Sequence, residues 1–368
     1  MKIAFCVLKN PSFGGGIEKY TFELGSRLVQ RGHEVTVYSM RHYGRLPREI
    51  RGMRIVGIPC VPVRCLEKLS ASAMAAFHVM LNGKFDIVHL HHVGPGSFAW
   101  IPKLRGAKCV FQSHGLAWRS NPWGAGGSMF LHALERVAVR QCDALTGVSM
   151  AQCRYYRDRY GLDMTYMPAG AKVREKVEPR EIRRLGLSPN RYVLYVGRLS
   201  PEKGVHHLVS AFRRLATSCR LVLAGSACGE RYEKELHALA GGDERIRFLG
   251  FVKGRPLAEL FSSARVYVQP SELEGLSLAL LEAMGYGVPC LVSDIPENLE
   301  AIGEDGWHFR NKDAAGLAER LNWMLAHPRR TLAAGERTRS RVREHYSWDR
   351  IADQCERLYE GALRSRAA

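Results

Sequence analysis

Short apolar runs that end in loops and lead into helically spaced stretches recur from one end of the chain to the other. Residues 3–8 (IAFCVL) form the first. A run this short, apolar on both faces, predicts a strand buried between helices in a parallel sheet. Gly14, Gly15 and Gly16 follow; Ile17, Tyr20, Leu24 and Leu28 then recur at helical spacing, Gly32 ends the helix, and HEVTVYSM opens the next strand. Strand, loop, helix and strand in that order form the right-handed unit of doubly wound sheets. MRIVGIP, FDIVHLHH, KCVFQSHG and DALTGVS continue the series. After Gly170 the chain turns polar, with Pro179 and Pro189, and the series then resumes with RYVLYVGR, a helix over 204–217, CRLVLAGS, RIRFLGFV, RVYVQPS and VPCLVSD.

The 368 residues suffice for two domains of ordinary size. The pattern predicts an N-terminal domain over 1–169, a linker over 170–190 and a C-terminal domain over 191–345. A tail over 346–368 carries an amphipathic helix near 349–364, expected to pack back on the N-terminal domain or on its neighbour. The expected architecture is α/β, with two Rossmann-like doubly wound domains facing a central cleft. Loops at the carboxyl ends of the strands would line that cleft, because ligands of open parallel sheets bind there.

Formal net charge is +18, which calls for an anionic partner: nucleic acid, acidic lipid or a phosphorylated substrate. The basic residues are scattered singly, with no zinc-finger or RNA-recognition pattern, so nucleic acid is not expected. Arg41, Arg45, Arg48, Arg51, Arg54 and Arg64 concentrate near the apolar, helix-compatible stretch 64–81. That stretch reads either as a face for an anionic membrane surface or as an ordinary core helix. None of the ten cysteines forms a CxxC pair, and Cys6 and Cys109 sit in apolar runs. Reduced, buried thiols in a cytosolic protein are the expectation, not a disulfide frame. MKIAFCVLKN, followed at once by PSFGGG, reads as strand and loop instead of a secretory signal. Nor does any run reach the roughly 18 apolar residues a membrane span needs. The expected location is cytoplasmic, either free or peripheral on the inner membrane face.

The segment 270–294 (PSELEGLSLALLEAMGYGVPCLVSD) carries the most chemistry. Glu274 and Glu282 have seven residues between them, and a helix is predicted from Leu276 or Ser277. Their separation along such a helix is below about 12 Å, the reach from a sugar across a diphosphate to a ribose. Unpaired N–H groups at the helix start, around Gly275, Leu276 and Ser277, suit the diphosphate between them. Carboxylates suit the two ends because they accept from paired hydroxyls. Two unrelated glutamates on a surface helix would give the same spacing, but Glu282 is embedded in the apolar run LALLEAM.

A second motif, VGRLSPEKG, sets Gly197, Arg198 and Lys203 after a strand, where two cations can meet a diphosphate. Gly15 and Gly16, after the first strand, let backbone N–H groups approach an anion closely. Glu18 either caps the helix they open or touches the acceptor. His114, in SHG after KCVFQ, stands at a strand end. His89, His91 and His92 follow another strand and read as cleft-lining or structural.

The 270–294 segment resembles the EX7E motif of retaining GT-B glycosyltransferases of family 4. GGIEKYTFELGSRLVQRGHEVTVYS and YVGRLSPEKGVHHLVSAF resemble that family's amino-terminal unit and carboxyl-domain phosphate motif. SHGLAWRSNPWG resembles members acting in bacterial polysaccharide assembly. The resemblance implies retaining transfer of a hexosyl or deoxyhexosyl group from a nucleoside-diphosphate sugar to an acceptor hydroxyl, on a sugar or a polyprenyl-linked glycan. It implies no metal and no cofactor. His114, Arg198, Lys203 and Glu274 would serve catalysis; Gly15, Gly16, Gly197, Gly275, Leu276, Ser277 and Glu282 would complete the donor site. Two readings rival it: a nucleotide-sugar epimerase of the same fold and a non-catalytic GT-B scaffold. The family often has paired glycines where Asp294, Ile295 and Pro296 stand here, and an Asn where Ala169 precedes Gly170.

Overall fold

A computed structural model describes all residues except 11–14, 64–65, 117, 119–123 and 366–368. Gly14, Arg64, Cys65 and much of the SHGLAWRSNPWG segment therefore lie outside the described residues. The chain divides into two compact units, Met1–Ala169 with Trp348–Ala368, and Gly170–Ser347.

The first unit runs β1 (Lys2–Leu8), α1 (Gly16–Gln30), β2 (Glu34–Met40), β3 (Glu49–Ile50), β4 (Met53–Ile58), α2 (Glu67–Leu81), β5 (Ile87–His91), α3 (Val93–Gly96), α4 (Trp100–Lys103), β6 (Lys108–Ser113), α5 (Gly124–Gln141), β7 (Ala144–Gly147), α6 (Met150–Tyr160) and β8 (Thr165–Tyr166). The sheet order is β3-β4-β2-β1-β5-β6-β7-β8, and only the β3–β4 pairing is antiparallel. Ile3, Ala4 and Phe5 of β1 are fully buried, as a strand covered on both faces requires. Of the four α1 positions that helical spacing singles out, Tyr20, Leu24 and Leu28 are buried and Ile17, in the first turn, is half-buried.

The second unit runs α7 (Glu181–Arg184), β9 (Tyr192–Val196), α8 (Val205–Arg213), β10 (Arg220–Ala224), α9 (Glu230–Ala240), β11 (Ile246–Gly250), α10 (Gly254–Ser263), β12 (Val266–Gln269), α11 (Leu278–Gly285), β13 (Cys290–Ser293), α12 (Pro296–Ile302), β14 (Trp307–Phe309), α13 (Ala314–Ala326) and α14 (Pro328–His345). Its sheet is parallel throughout, in the order β11-β10-β9-β12-β13-β14. That is the Rossmann order, two wings wound outward from a central pair. Val205, Leu208, Val209 and Phe212 of α8 pack with Leu221 and Leu223 of β10 in its core. Each such side chain contributes roughly 1.5–3 kcal/mol.

The polar stretch after Gly170 is held within this second unit. Ala171 N–H donates to Tyr346 O at 2.7 Å, and Arg174 N–H to Gly285 O at 3.0 Å. Glu259, fully buried, accepts the N–H groups of Arg180, Glu181 and Ile182 at 2.8, 2.6 and 3.1 Å, which caps the short α7. Burial acts to raise the Glu259 carboxyl, but Arg255 and those N–H donors outweigh it and hold it below its usual value.

The last helix, α15 (Trp348–Arg364), belongs to the first unit. Arg27 donates to Asp349 at 2.7 Å, Arg31 pairs with Asp353 at 2.7 Å and with Glu356, and His33 meets Glu356 at 2.7 Å. Its apolar face seats Trp348 on Tyr20, with ring centroids 5.5 Å apart.

Candidate functional site

In the second unit the winding direction reverses between β9 and β12. At such a switch point the loops leaving the two strands part, opening a crevice at their carboxyl ends. Those loops hold residues 197–204 and 270–277, the two motifs singled out above. The two loops touch. Gly204 has φ +63, and a Cβ there would stand 2.0 Å from Pro270 O, so glycine is needed for both conformation and space.

Glu274 is where the loops join chemically. Its Oε1 receives Lys203 Nζ at 2.7 Å, Ser271 Oγ at 2.7 Å and Gln269 Nε2 at 3.0 Å. Both members of the ion pair are largely buried, with side chains 16% and 8% exposed, so solvent screens it little. Among the described residues Oε2 has no hydrogen-bond partner, which leaves it for an incoming hydroxyl. Gln269, buried at the end of β12, is fixed in turn. Its Oε1 accepts from Tyr267 Oη at 2.6 Å and from Ser277 Oγ at 3.0 Å. Burial pushes the Tyr267 hydroxyl up, and Tyr195, Cys290, Glu274 and Glu282 add to it, so Tyr267 stays a donor.

Ser277 is the N-cap of α11, its Oγ accepting from Leu280 N–H at 3.3 Å. The helix therefore starts at Leu278, slightly later than the sequence predicts. The N–H groups of Leu278 and Ala279 come first in its opening turn, while Gly275, Leu276 and Ser277 lead up to it in the loop. Glu282 lies farther along the same helix, half-buried. Arg198 and Lys203 part company in the structure. Arg198 is two-thirds exposed and lies 3.6 Å from Glu202, while Lys203 turns to Glu274. Gly197 continues β9, its N–H donating to Ala224 O at 3.0 Å. Asp294, Ile295 and Pro296, where the family often has glycines, form a structured turn. Asp294 accepts Asn311 N–H at 2.8 Å and Pro296 opens α12. Sequence reasoning passed over Gln269 and Tyr267. The signal was a Gln closing the apolar strand RVYVQ.

In the first unit the switch lies between β1 and β5. Gly15 is the N-cap of α1, which Gly16 opens. A Cβ on Gly15 would meet Glu18 Oε2 at 2.1 Å, because that carboxylate folds back over the helix start to accept Lys9 N–H at 3.1 Å. The buried Glu18 thus ties the helix start to the chain leaving β1 and, among the described residues, does not cap an N–H of α1. His114, after β6, meets His91 at 2.8 Å, and His91 meets Thr21 Oγ1 at 2.9 Å. A neutral His91 has one ring N–H, so it donates to one of these and accepts from the other. His89 lies deeper, between Tyr359 Oη and Gln112 Oε1, each at 2.7 Å. His92 has φ +73, uncommon for a residue with a side chain.

Burial lowers all four imidazoles. His89 falls to about 4 against the opposing Gln112 bond, and His92 to about 3 with Lys68 adding. His91 and His114 also fall well below the usual value, burial first, with His114, His89 and His92 adding at His91 and His92 and His89 at His114. The unfolded chain takes up these protons near pH 6.5 while the folded chain refuses them, so stability is lost as pH falls from about 6.5 towards 4. His89 alone corresponds to roughly 3 kcal/mol. We expect urea midpoints of the first unit to drop across this window, and His89→Gln to flatten the drop. A midpoint constant from pH 7 to pH 5 would refute this.

The Glycosyltransferase Family 4 model matches residues 14–172, and the Glycosyl transferases group 1 model matches residues 178–341. The alpha-maltose-1-phosphate synthase of Mycolicibacterium smegmatis is 31% identical over 308 residues, covering 74% of this chain and 78% of that protein. A D-inositol 3-phosphate glycosyltransferase of Geodermatophilus obscurus is 28% identical over 402 residues, covering 98% of this chain and 88% of the relative. Among solved structures, Anabaena HepE in complex with UDP and glucose superposes with a TM-score of 0.82 at 18% identity, covering 98% of this chain and 100% of that one. Two Rossmann-like units of this order, with matches across both, place the chain in the group 1, family 4-like glycosyltransferases of GT-B fold.

Proposed function

We propose that the protein transfers a hexosyl or deoxyhexosyl group from a nucleoside-diphosphate sugar to an acceptor hydroxyl with retention of configuration. The observation that carries this is the Glu274 carboxylate. One oxygen is locked by Lys203, Gln269 and Ser271, and the other has no partner among the described residues, at the switch point just before α11. A carboxylate so held is preorganised to accept from sugar hydroxyls. Glu282, along the same helix, would take the ribose.

The leaving diphosphate gains negative charge as the sugar departs. In this reading the N–H groups opening α11, together with Lys203 and Arg198, stabilise that charge without a metal or cofactor. Lys203 would serve both partners, steadying Glu274 while facing phosphate. The neutral His114 would donate or accept at the sugar, oriented by His91. That HepE was solved with UDP and glucose supports a nucleotide-sugar donor. Titration calorimetry with UDP, GDP, dTDP and ADP tests the reading. One of them is expected to bind, and binding of none would remove the donor site.

The acceptor proposed is a sugar or polyprenyl-linked glycan of the bacterial cell surface, met at an anionic membrane. Among the described residues no helix is long and apolar enough to cross a membrane. On α2, however, Met74, Phe77 and Leu81 are exposed, and Arg45 and Arg48 lie exposed nearby in sequence. That combination supports surface attachment. Flotation with acidic vesicles is the check, and failure to float would end the membrane proposal alone.

A further inference from the structure

Beside the Glu274 loop stands a second cluster that the transfer reaction does not use. His206 and His207 are consecutive in the first turn of α8, with ring centroids 4.0 Å apart, and Glu272 lies two residues before Glu274. One ligand atom from each residue falls within 4.8 Å of the others. His207 Nε2 is 2.9 Å from Glu272 Oε1, and His206 Nε2 is 3.7 Å from the same oxygen.

Tyr232 is placed to orient His206 for such an ion. Its hydroxyl oxygen is 2.8 Å from His206 Nδ1 and also receives the His206 backbone N–H at 3.4 Å. In the tautomer with the proton on Nδ1, the hydroxyl accepts it and Nε2 turns a lone pair towards Glu272 Oε1, 3.7 Å away, a separation that a cation between them would bridge. A histidine whose far nitrogen is held by an oxygen partner is also the usual metal-ligating arrangement. Lys312 is 2.9 Å from Glu272, but on Oε2, and its side chain is 63% exposed, so Oε1 remains available. Zn²⁺ takes imidazole nitrogen and carboxylate oxygen at about 2.0–2.2 Å. Ligand atoms around a tetrahedral ion then lie about 3.4 Å apart, between the two separations found here.

We propose that His206 Nε2, His207 Nε2 and Glu272 Oε1 bind one divalent ion of the Zn²⁺ class, with Tyr232 orienting His206 and a fourth position left to water. The ligands come from two segments, the start of α8 directly after Lys203–Gly204 and the loop that carries Glu274. The ion is thus a clamp between the two loops of the switch point. Imidazole nitrogens ligate only when unprotonated, so binding weakens as pH falls.

The test needs no nucleotide, so its outcome is separate from that of the donor reading. Because Cys60 Sγ and His42 Nδ1 stand 2.9 Å apart and form a competing soft pair, the chain titrated carries Cys60→Ser. Chelator-treated protein is titrated with Zn²⁺ alone by calorimetry, and thermal unfolding is followed with and without the ion. One equivalent is expected to bind and to raise Tm. Tyr232→Phe should weaken binding about tenfold, as loss of an orienting partner does. His206→Gln and Glu272→Gln should abolish the Tm rise while circular dichroism shows the fold intact. Co²⁺ should give visible ligand-field bands that vanish in His206→Gln. Absence of binding to the parent chain, or equal binding and an equal Tm rise in folded His206→Gln, overturns the proposal.

Discussion

Exchanging Glu274 for Gln is expected to lower kcat/KM for sugar transfer by about a hundredfold, the scale of losing one preorganised electrostatic contact. The amide oxygen can still accept from Ser271 and Gln269, so the loop keeps its shape. What disappears is the charge opposite Lys203, now 2.7 Å away, and the outward acceptor, whose place the amide NH2, a donor, takes. Glu274→Ala goes further. It strips the Lys203 ammonium of its carboxylate in a mostly buried place and takes one acceptor from Gln269 and from Ser271, a cost of about 3 kcal/mol in stability. Steady-state kinetics of the Gln variant and urea unfolding of the Ala variant separate the two effects. A Gln variant with unchanged kcat/KM would take Glu274 out of the donor site, whatever the Ala variant does.

Gly204→Ala, which touches no proposed ligand atom, should be almost as damaging. A Cβ there would lie 2.0 Å from Pro270 O, and φ at +63 is a conformation that side chains disfavour. The clash is with backbone, so no side-chain rotation relieves it. Either the Lys203 turn or the 270–277 loop must move, and both hold the groups that meet at Glu274. A loss of about 3 kcal/mol is expected from the contact and the strain together. Donor affinity should fall with it, because Lys203 can no longer reach its partner. Thermal unfolding and nucleotide titration of the variant check both parts. Wild-type stability in Gly204→Ala would mean that the two loops are not packed as described.

These predictions show which parts of the protein are written locally. A buried parallel strand must be apolar on both faces, and a helix laid on it must repeat its apolar residues every three to four positions. For that reason IAFCVL, YVLYV and their counterparts announced the sheets, and Tyr20, Leu24 and Leu28 announced the buried face of α1. The short strand β14 (Trp307–Phe309) and the caps built by Glu259 went unread. Three residues are too few for a periodic signal, and a carboxylate that caps N–H groups nearly 80 residues away leaves no trace near itself.

The same division runs through the candidate site. Sequence by itself determined the fold class, the longer strands of both sheets, and the two motifs that close β9 and β12. All of these depend on residues adjacent in the chain. Tertiary structure alone decided that Lys203 answers Glu274 while Arg198 faces solvent, and that Gln269, not named from sequence, organises the loop. It decided that Glu18 folds back over its own helix, that four histidines are held neutral, and that His206 and His207 meet Glu272. Lys203 with Glu274, His91 with His114, His89 with Gln112 and His207 with Glu272 are joined by sheet topology, and their hydrogen bonds and desolvation arise only when the strands that lead to them lie side by side.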